Sequence, residues 1–169
     1  ILGYRMNNKD FLEKIKNEEI SIDAGIAYLK DFNYKDLDFA KLDFQRKERR
    51  GFGETIFCQG KEDFALAEIF KTFSDRKESV IGTRASLKQF EKVKELVPEA
   101  NYDNTSRIIS LVYGEEKRIG NIAICTGGTA DLKVAEEARI TAEFFGANVS
   151  KFYDVGVSGL HRLTSKIDE

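Results

Sequence analysis

Two stretches of this chain combine residue types suited to holding an anion. The first is Cys125-Thr126-Gly127-Gly128-Thr129-Ala130-Asp131, directly after the apolar run Ile122-Ala123-Ile124. Glycines let a backbone approach a ligand closely. The first N–H groups of a helix are unpaired donors at the positive end of its dipole. A phosphate suits such a place, with Gly128, the Thr129 hydroxyl and Asp131 around it. The run is not a Walker A loop, which needs Gly-Lys-Ser/Thr, nor a dinucleotide fingerprint. The same residues also suit a plain strand-to-helix turn capped by Thr129 or Asp131, and the sequence leaves both readings open.

The second stretch is Asp154-Val155-Gly156-Val157-Ser158-Gly159-Leu160-His161-Arg162. It holds the single histidine, and beside it Arg162, a fixed cation matched to phosphate or carboxylate. Asp154, Ser158, Gly159, His161 and Arg162 are the candidate ligand-binding residues here. Two weaker candidates lie upstream. Arg46 and Arg49 are three apart and share a face if their segment is helical, where they could hold an anion. Thr83 and Arg84, in Gly82-Thr83-Arg84-Ala85-Ser86, close another apolar run.

These candidates need elements to position them. Residues 8–18 read as a helix, and Ser21 caps a second one carrying Ile22, Ile26 and Leu29. A connector rich in Phe and Asp (31–39) and the basic run Arg46 to Arg50 follow. Glu54 to Cys58 reads as a strand with Ile56 and Cys58 on one face, then Glu62 to Phe73 as a helix whose apolar stripe includes Phe64, Ala67 and Phe70. Ser79 to Ala85 reads as a strand, Leu87 to Val97 as a helix stopped by Pro98, and Arg107 to Tyr113 as a strand. After the charged break Gly114 to Lys117 come a strand (Asn121 to Cys125), a helix (Leu132 to Phe145) and a strand (Val149 to Tyr153). Strands alternating with helices imply an α/β fold with a largely parallel sheet. Ligands of open parallel sheets bind beyond the carboxyl ends of the strands, so the two glycine loops are expected on one rim.

Composition narrows the function classes. Lys and Arg number 27 against 29 Asp and Glu, a near balance that excludes a whole-surface nucleic-acid footprint. No apolar run reaches the roughly 18 residues of a membrane span, and no signal peptide is visible, so a cytoplasmic protein is expected. Cys58 and Cys125 are too far apart in sequence to suggest metal-ligand spacing, and no metal site within the chain is expected.

Taken in order, the segments resemble one family. They are Asp43-x-x-Arg46-x-x-Arg49-x-Gly51-Phe52-x-Glu54, Thr83-Arg84-Ala85-Ser86, Gly128-Thr129-x-Asp131-x-x-Val134-Ala135-Glu136-Glu137-Ala138, and Tyr153-Asp154-Val155-Gly156-Val157-x-Gly159-Leu160-His161-Arg162. This series resembles LarB, the carboxylase/hydrolase of nickel-pincer cofactor synthesis, whose C-terminal domain is similar to the purine-pathway aminoimidazole ribotide carboxylases and mutases. The resemblance implies N-terminal helices plus a small α/β domain over 6–115. From 116 to 169 it implies the first βαβ part of a flavodoxin-like, parallel-sheet carboxylase domain, incomplete at its C-terminal end and exposing an apolar edge. Residues 1–5, ahead of Met6, read as a non-native leader.

The resemblance also implies an activity. The family carboxylates the pyridinium ring of nicotinic acid adenine dinucleotide with CO2 or bicarbonate, and cleaves the phosphoanhydride to release AMP. Mg2+ is expected with the substrate pyrophosphate, and a homo-oligomer is expected as the assembly. The family's nucleophilic cysteine is expected beyond Glu169 and matches neither Cys58 nor Cys125, so no catalytic residue is assigned and the chain alone is expected to be inactive. Gly53 and Ala130 depart from the family's usual proline and serine, and Ala130 removes one phosphate donor. Two alternatives remain: a purine-pathway carboxyaminoimidazole ribotide mutase, and a non-catalytic nucleotide-binding module.

Overall fold

A computed structural model describes residues 8–26, 35–36, 41–42, 53–114 and 118–165. The chain divides into two compact units, Ile1–Arg49 and Arg50–Glu169. In the first, helix α1 (Asn8–Lys16) buries Phe11. Residues 22–26 form a helical turn started by Ser21, whose hydroxyl accepts from the Ala24 N–H at 3.2 Å. A Cβ on Gly25 would lie 2.9 Å from Ile15 Cδ1, so glycine lets this turn rest on α1. A short antiparallel ladder, β1 (Lys35–Asp36) with β2 (Lys41–Leu42), starts in the expected connector and ends just after it. It was not legible because two-residue strands carry no period.

The second unit begins with a four-stranded sheet. Its strands are β3 (Thr55–Phe57), β4 (Val80–Thr83), β5 (Asn101–Asp103) and β6 (Ile108–Leu111), in the order β3-β4-β6-β5. β3 and β4 are parallel, joined through helix α2 (Asp63–Asp75). β6 runs antiparallel to both β4 and β5, so this sheet is mixed rather than largely parallel. The cause is β5, a polar three-residue strand that turns the chain back through a hairpin. Asp103 accepts from both the N–H and the hydroxyl of Ser106 at 2.7 Å, which fixes that turn.

β4 is buried along its whole length, as an inner strand covered by a helix should be. Leu66, Phe70 and Phe73 of α2 are fully or almost fully buried with Val80, Ile81, Ile108, Ile109 and Leu111. Each such side chain contributes roughly 1.5–3 kcal/mol over its exposed state. Gly82 makes the contact possible: a Cβ there would stand 2.9 Å from Phe70 Cζ and 2.7 Å from Cys58 Sγ. Phe64, expected in the apolar stripe, is 69% exposed, because the buried face runs through Leu66, Ala67, Phe70 and Phe73. Helix α3 (Leu87–Leu96) starts in a capping box, with the Ser86 hydroxyl accepting from the Gln89 N–H and the Gln89 side chain accepting from the Ser86 N–H. The same Gln89 amide donates to the Cys58 and Lys61 carbonyls, tying α3 to the end of β3.

A βαβ unit follows. β7 (Asn121–Cys125) pairs in parallel with β8 (Asn148–Phe152), from Asn121 opposite Asn148 to Cys125 opposite Phe152. Helix α4 (Leu132–Phe144) connects them. Gly146, at φ +87°, turns the chain out of α4 in the left-handed region that favours glycine. A short helix, α5 (Leu160–Thr164), comes after β8.

Candidate functional site

The parallel pairing of β7 and β8 brings their carboxyl ends side by side, and with them the two glycine loops. Thr126 is the clasp. Its N–H donates to the Phe152 carbonyl at 3.1 Å, its carbonyl accepts from the Val155 N–H at 2.9 Å, and its hydroxyl accepts from the Asp154 N–H at 3.0 Å. Beyond the clasp the loops touch: a Cβ on Gly156 would collide with the Gly127 backbone. The shared rim expected from the sequence is therefore present. Thr126, which makes it, was not among the expected site residues. Its signal was available, since it is the only side-chain hydroxyl at the junction of β7 and the loop.

On the first loop, Gly128 leads into a single 3-10 turn, Thr129–Asp131, and then into α4. Asp131 occupies the N-cap position of α4 but makes no side-chain cap hydrogen bond, and Thr129 is exposed. The strand-to-helix turn with Asp131 at the N-cap is thus present, with no side-chain hydrogen bond closing it. On the second loop, Asp154 has φ +58° in the left-handed region. Its carboxylate pairs with the Arg162 guanidinium through Nη1. Gly159 lies directly under that guanidinium: a Cβ would overlap Nε and Nη2. Arg162 Nε is buried and has no hydrogen-bond partner. Ser158 and His161 are exposed, at the turn Val157–Gly159 and in the first turn of α5.

The wall behind the rim is an ionic network on α4. Arg139 donates to Glu136 at 2.7 Å and to Glu143 at 2.7 Å. The Tyr153 hydroxyl, at the end of β8, donates to the other Glu136 oxygen at 2.7 Å. Burial and the Glu136 carboxylate push the Tyr153 phenol up to about 12, so it stays protonated and keeps donating. This pins the residue before Asp154 to the helix whose start forms the other loop.

The remaining candidates are placed differently. Thr83 is a buried member of β4, and its carbonyl accepts from the Cys58 N–H at 2.9 Å. Arg84, at φ +54°, lies 3.6 Å from Glu137 of α4 and 5.6 Å from the Phe57 ring centroid. These partners make Arg84 a tie between the four-stranded sheet and the βαβ unit; none of them belongs to either glycine loop. Arg46 and Arg49 lie outside the described residues. Cys58 is fully buried, and its thiol is pushed up to about 12 by burial, with Lys61 pulling the other way. That thiol is a poor nucleophile. Cys125 is exposed at the end of β7.

A family model described as the LarB/PurE-like N-terminal domain matches residues 34–115. Over that stretch the chain is similar to the LarB family. The chain is also 33% identical, over 168 residues, to an uncharacterised protein of Methanocaldococcus jannaschii. That match covers 93% of this chain and 64% of the relative, so the chain spans less than two thirds of its relative's length. The mixed α/β fold of this chain, with parallel strand pairs in both sheets of the second unit, agrees with the α/β class read from the sequence. Among the described residues no group of three or more His, Cys, Asp or Glu side chains could hold a metal ion. Nor is any described helix long and apolar enough to cross a membrane.

Proposed function

We propose that this chain forms the nucleotide-binding part of an enzyme that carboxylates the pyridinium ring of nicotinic acid adenine dinucleotide and hydrolyses its phosphoanhydride to release AMP. The observation that carries the reading is the contact of the Gly127–Asp131 and Asp154–Arg162 loops at the carboxyl ends of two parallel strands, with the Arg162 guanidinium lying on the second loop. A dinucleotide pyrophosphate needs main-chain N–H donors and fixed cations, and this rim offers both. The family's resemblance to carboxylases supplies the chemical class.

A pyridinium carbon is electron-poor and cannot attack CO2. Addition of a thiolate to the ring gives an enamine-like dihydropyridine whose carbon can; proton loss and expulsion of the thiol then restore the aromatic ring. Neither cysteine of this chain is assigned that thiolate. The role of these residues is to bind and orient: loop N–H groups and Thr129 on one phosphate, Arg162 on an anionic oxygen, and the protonated Tyr153 holding the second loop in place. Mg2+ would travel with the pyrophosphate, its ligands being phosphate oxygens and water. A homo-oligomer is the proposed assembly, as the family resemblance implies.

The test is turnover by the full-length protein supplied with nicotinic acid adenine dinucleotide, bicarbonate and Mg2+. Release of AMP with formation of a biscarboxylated pyridinium mononucleotide is expected. Turnover of carboxyaminoimidazole ribotide in its place would make the protein a purine-pathway mutase. Nucleotide binding with neither reaction would make it a regulatory module.

A further inference from the structure

Arg139 does more than balance charge on α4. Its Nε and Nη2 both lie 2.7 Å from one oxygen of Glu136, Oε2, and its Nη1 lies 2.7 Å from Glu143. These partners stand three residues before it and four after it, on one face of the helix. With Oε2 held by the guanidinium, Glu136 turns Oε1 to the Tyr153 hydroxyl, which donates to it at 2.7 Å. Tyr153 is followed directly by Asp154, where the second glycine loop begins. None of the three α4 side chains is more than 24% exposed, so water screens the network weakly. Ala135 is the one buried residue of α4, which leaves polar contacts to fix how the helix sits against β8. The Arg139 charge also reaches the four-stranded sheet. Burial raises the Asp103 carboxyl, but the Ser106 hydrogen bonds and Arg139 bring it below its usual range.

We infer that Arg139 is a positioning residue for the rim: by orienting Glu136 it sets where Tyr153, and with it the Asp154–Arg162 loop, stands against the Gly127–Asp131 loop. The inference rests on the proposed anion-binding role of the rim and adds which residue outside the two loops governs it. A planar fork that grips Glu136 and Glu143 at once holds Oε2 in place. A lysine ammonium, a point charge on a flexible stem, does not. Arg139→Lys therefore keeps the charge and gives up the orientation, while Tyr153→Phe removes the group that reads it. Donors on both loops must reach one phosphate together, so a small displacement of either loop loses part of the contact.

The experiment is a double-mutant cycle on the full-length protein, read as affinity for nicotinic acid adenine dinucleotide, with melting temperatures recorded for each variant. Arg139→Lys and Tyr153→Phe should each weaken binding roughly three- to tenfold, the worth of about one hydrogen bond. The double variant should bind no worse than the weaker of the two, because both act through one contact. Glu99→Gln, whose partners are Tyr113 and Ser74, controls for lost stability alone and should bind as the wild type does. Losses that multiply in the double variant, a loss confined to Tyr153→Phe, or an equal loss in Glu99→Gln would each leave Arg139 without a positioning role. If Arg139→Lys and Tyr153→Phe keep full affinity while Arg162→Ala loses it, this inference falls and the anion site stands. If Arg162→Ala also binds as the wild type does, the rim is not the anion site, and the proposed function loses its carrying observation as well.

Discussion

Glu99 shows how single side chains secure the ends of the four-stranded sheet. Its carboxylate accepts from the Tyr113 hydroxyl at 2.5 Å and the Ser74 hydroxyl at 2.7 Å, joining the end of α2 to the segment after β6. Those two hydrogen bonds hold Glu99 down to about 2 from an ordinary 4.5. A carboxyl depressed on folding adds stability that is full above its unfolded pKa and fades as pH falls through the folded one. Glu99→Gln should therefore lower the melting temperature at pH 6, and the gap to wild type should close between about pH 4.5 and 2. Thermal melts across that range check this; a gap independent of pH would mean the hydrogen bonds do not depend on the charge. At this scale the sequence was partly legible. Residue type marked Arg162, Asp154 and Gly159 as site candidates, because few roles suit a lone His-Arg pair in a glycine loop. It could not reveal that Asp154 and Arg162 pair with each other, or that Arg84 turns to Glu137, since both depend on left-handed backbone at Asp154 and Arg84. Non-glycine residues of many types adopt that conformation only when their surroundings impose it.

Among the elements, the β7-α4-β8 unit carries the site, and its coherence depends on the contact between Gly156 and Gly127. Gly156→Ala would drive a methyl into the opposing backbone and part the loops, at a cost of about 1–3 kcal/mol in stability. Hydrogen exchange should then show loss of protection at the Val155 and Asp154 amides, which the Thr126 clasp holds in the wild type. Unchanged protection would mean that the loops meet without needing glycine. Elements of this unit were legible to within a residue, because the apolar run Ile122 to Cys125 precedes a helix of full length bounded by glycines. The first sheet was less so. β5 is the polar triplet Asn101-Tyr102-Asp103, which has no alternation to read and exists by pairing with β6. Missing it also hid the antiparallel return, and with it the mixed character of that sheet. The exposed Phe64 was misread for a related reason: residue type marked it as apolar, but the buried face of α2 is set by Gly82 opposite Phe70.

For the whole molecule, the family match and the site fall on different stretches of chain. The LarB/PurE-like match ends at residue 115, while the first of the two glycine loops begins at Gly127. The account's central claim, that those loops hold the phosphates of a dinucleotide, thus rests on geometry: parallel strand ends, touching backbones and one guanidinium. The most direct test is a calorimetric titration of nicotinic acid adenine dinucleotide into the full-length protein and its Arg162→Ala variant, with melting temperatures in parallel. A charge-assisted contact to phosphate predicts affinity roughly 10- to 100-fold weaker in the variant, with little loss of melting temperature, since Arg162 sits at a partly exposed surface pair. Equal affinity for the dinucleotide in the two proteins would contradict the claim.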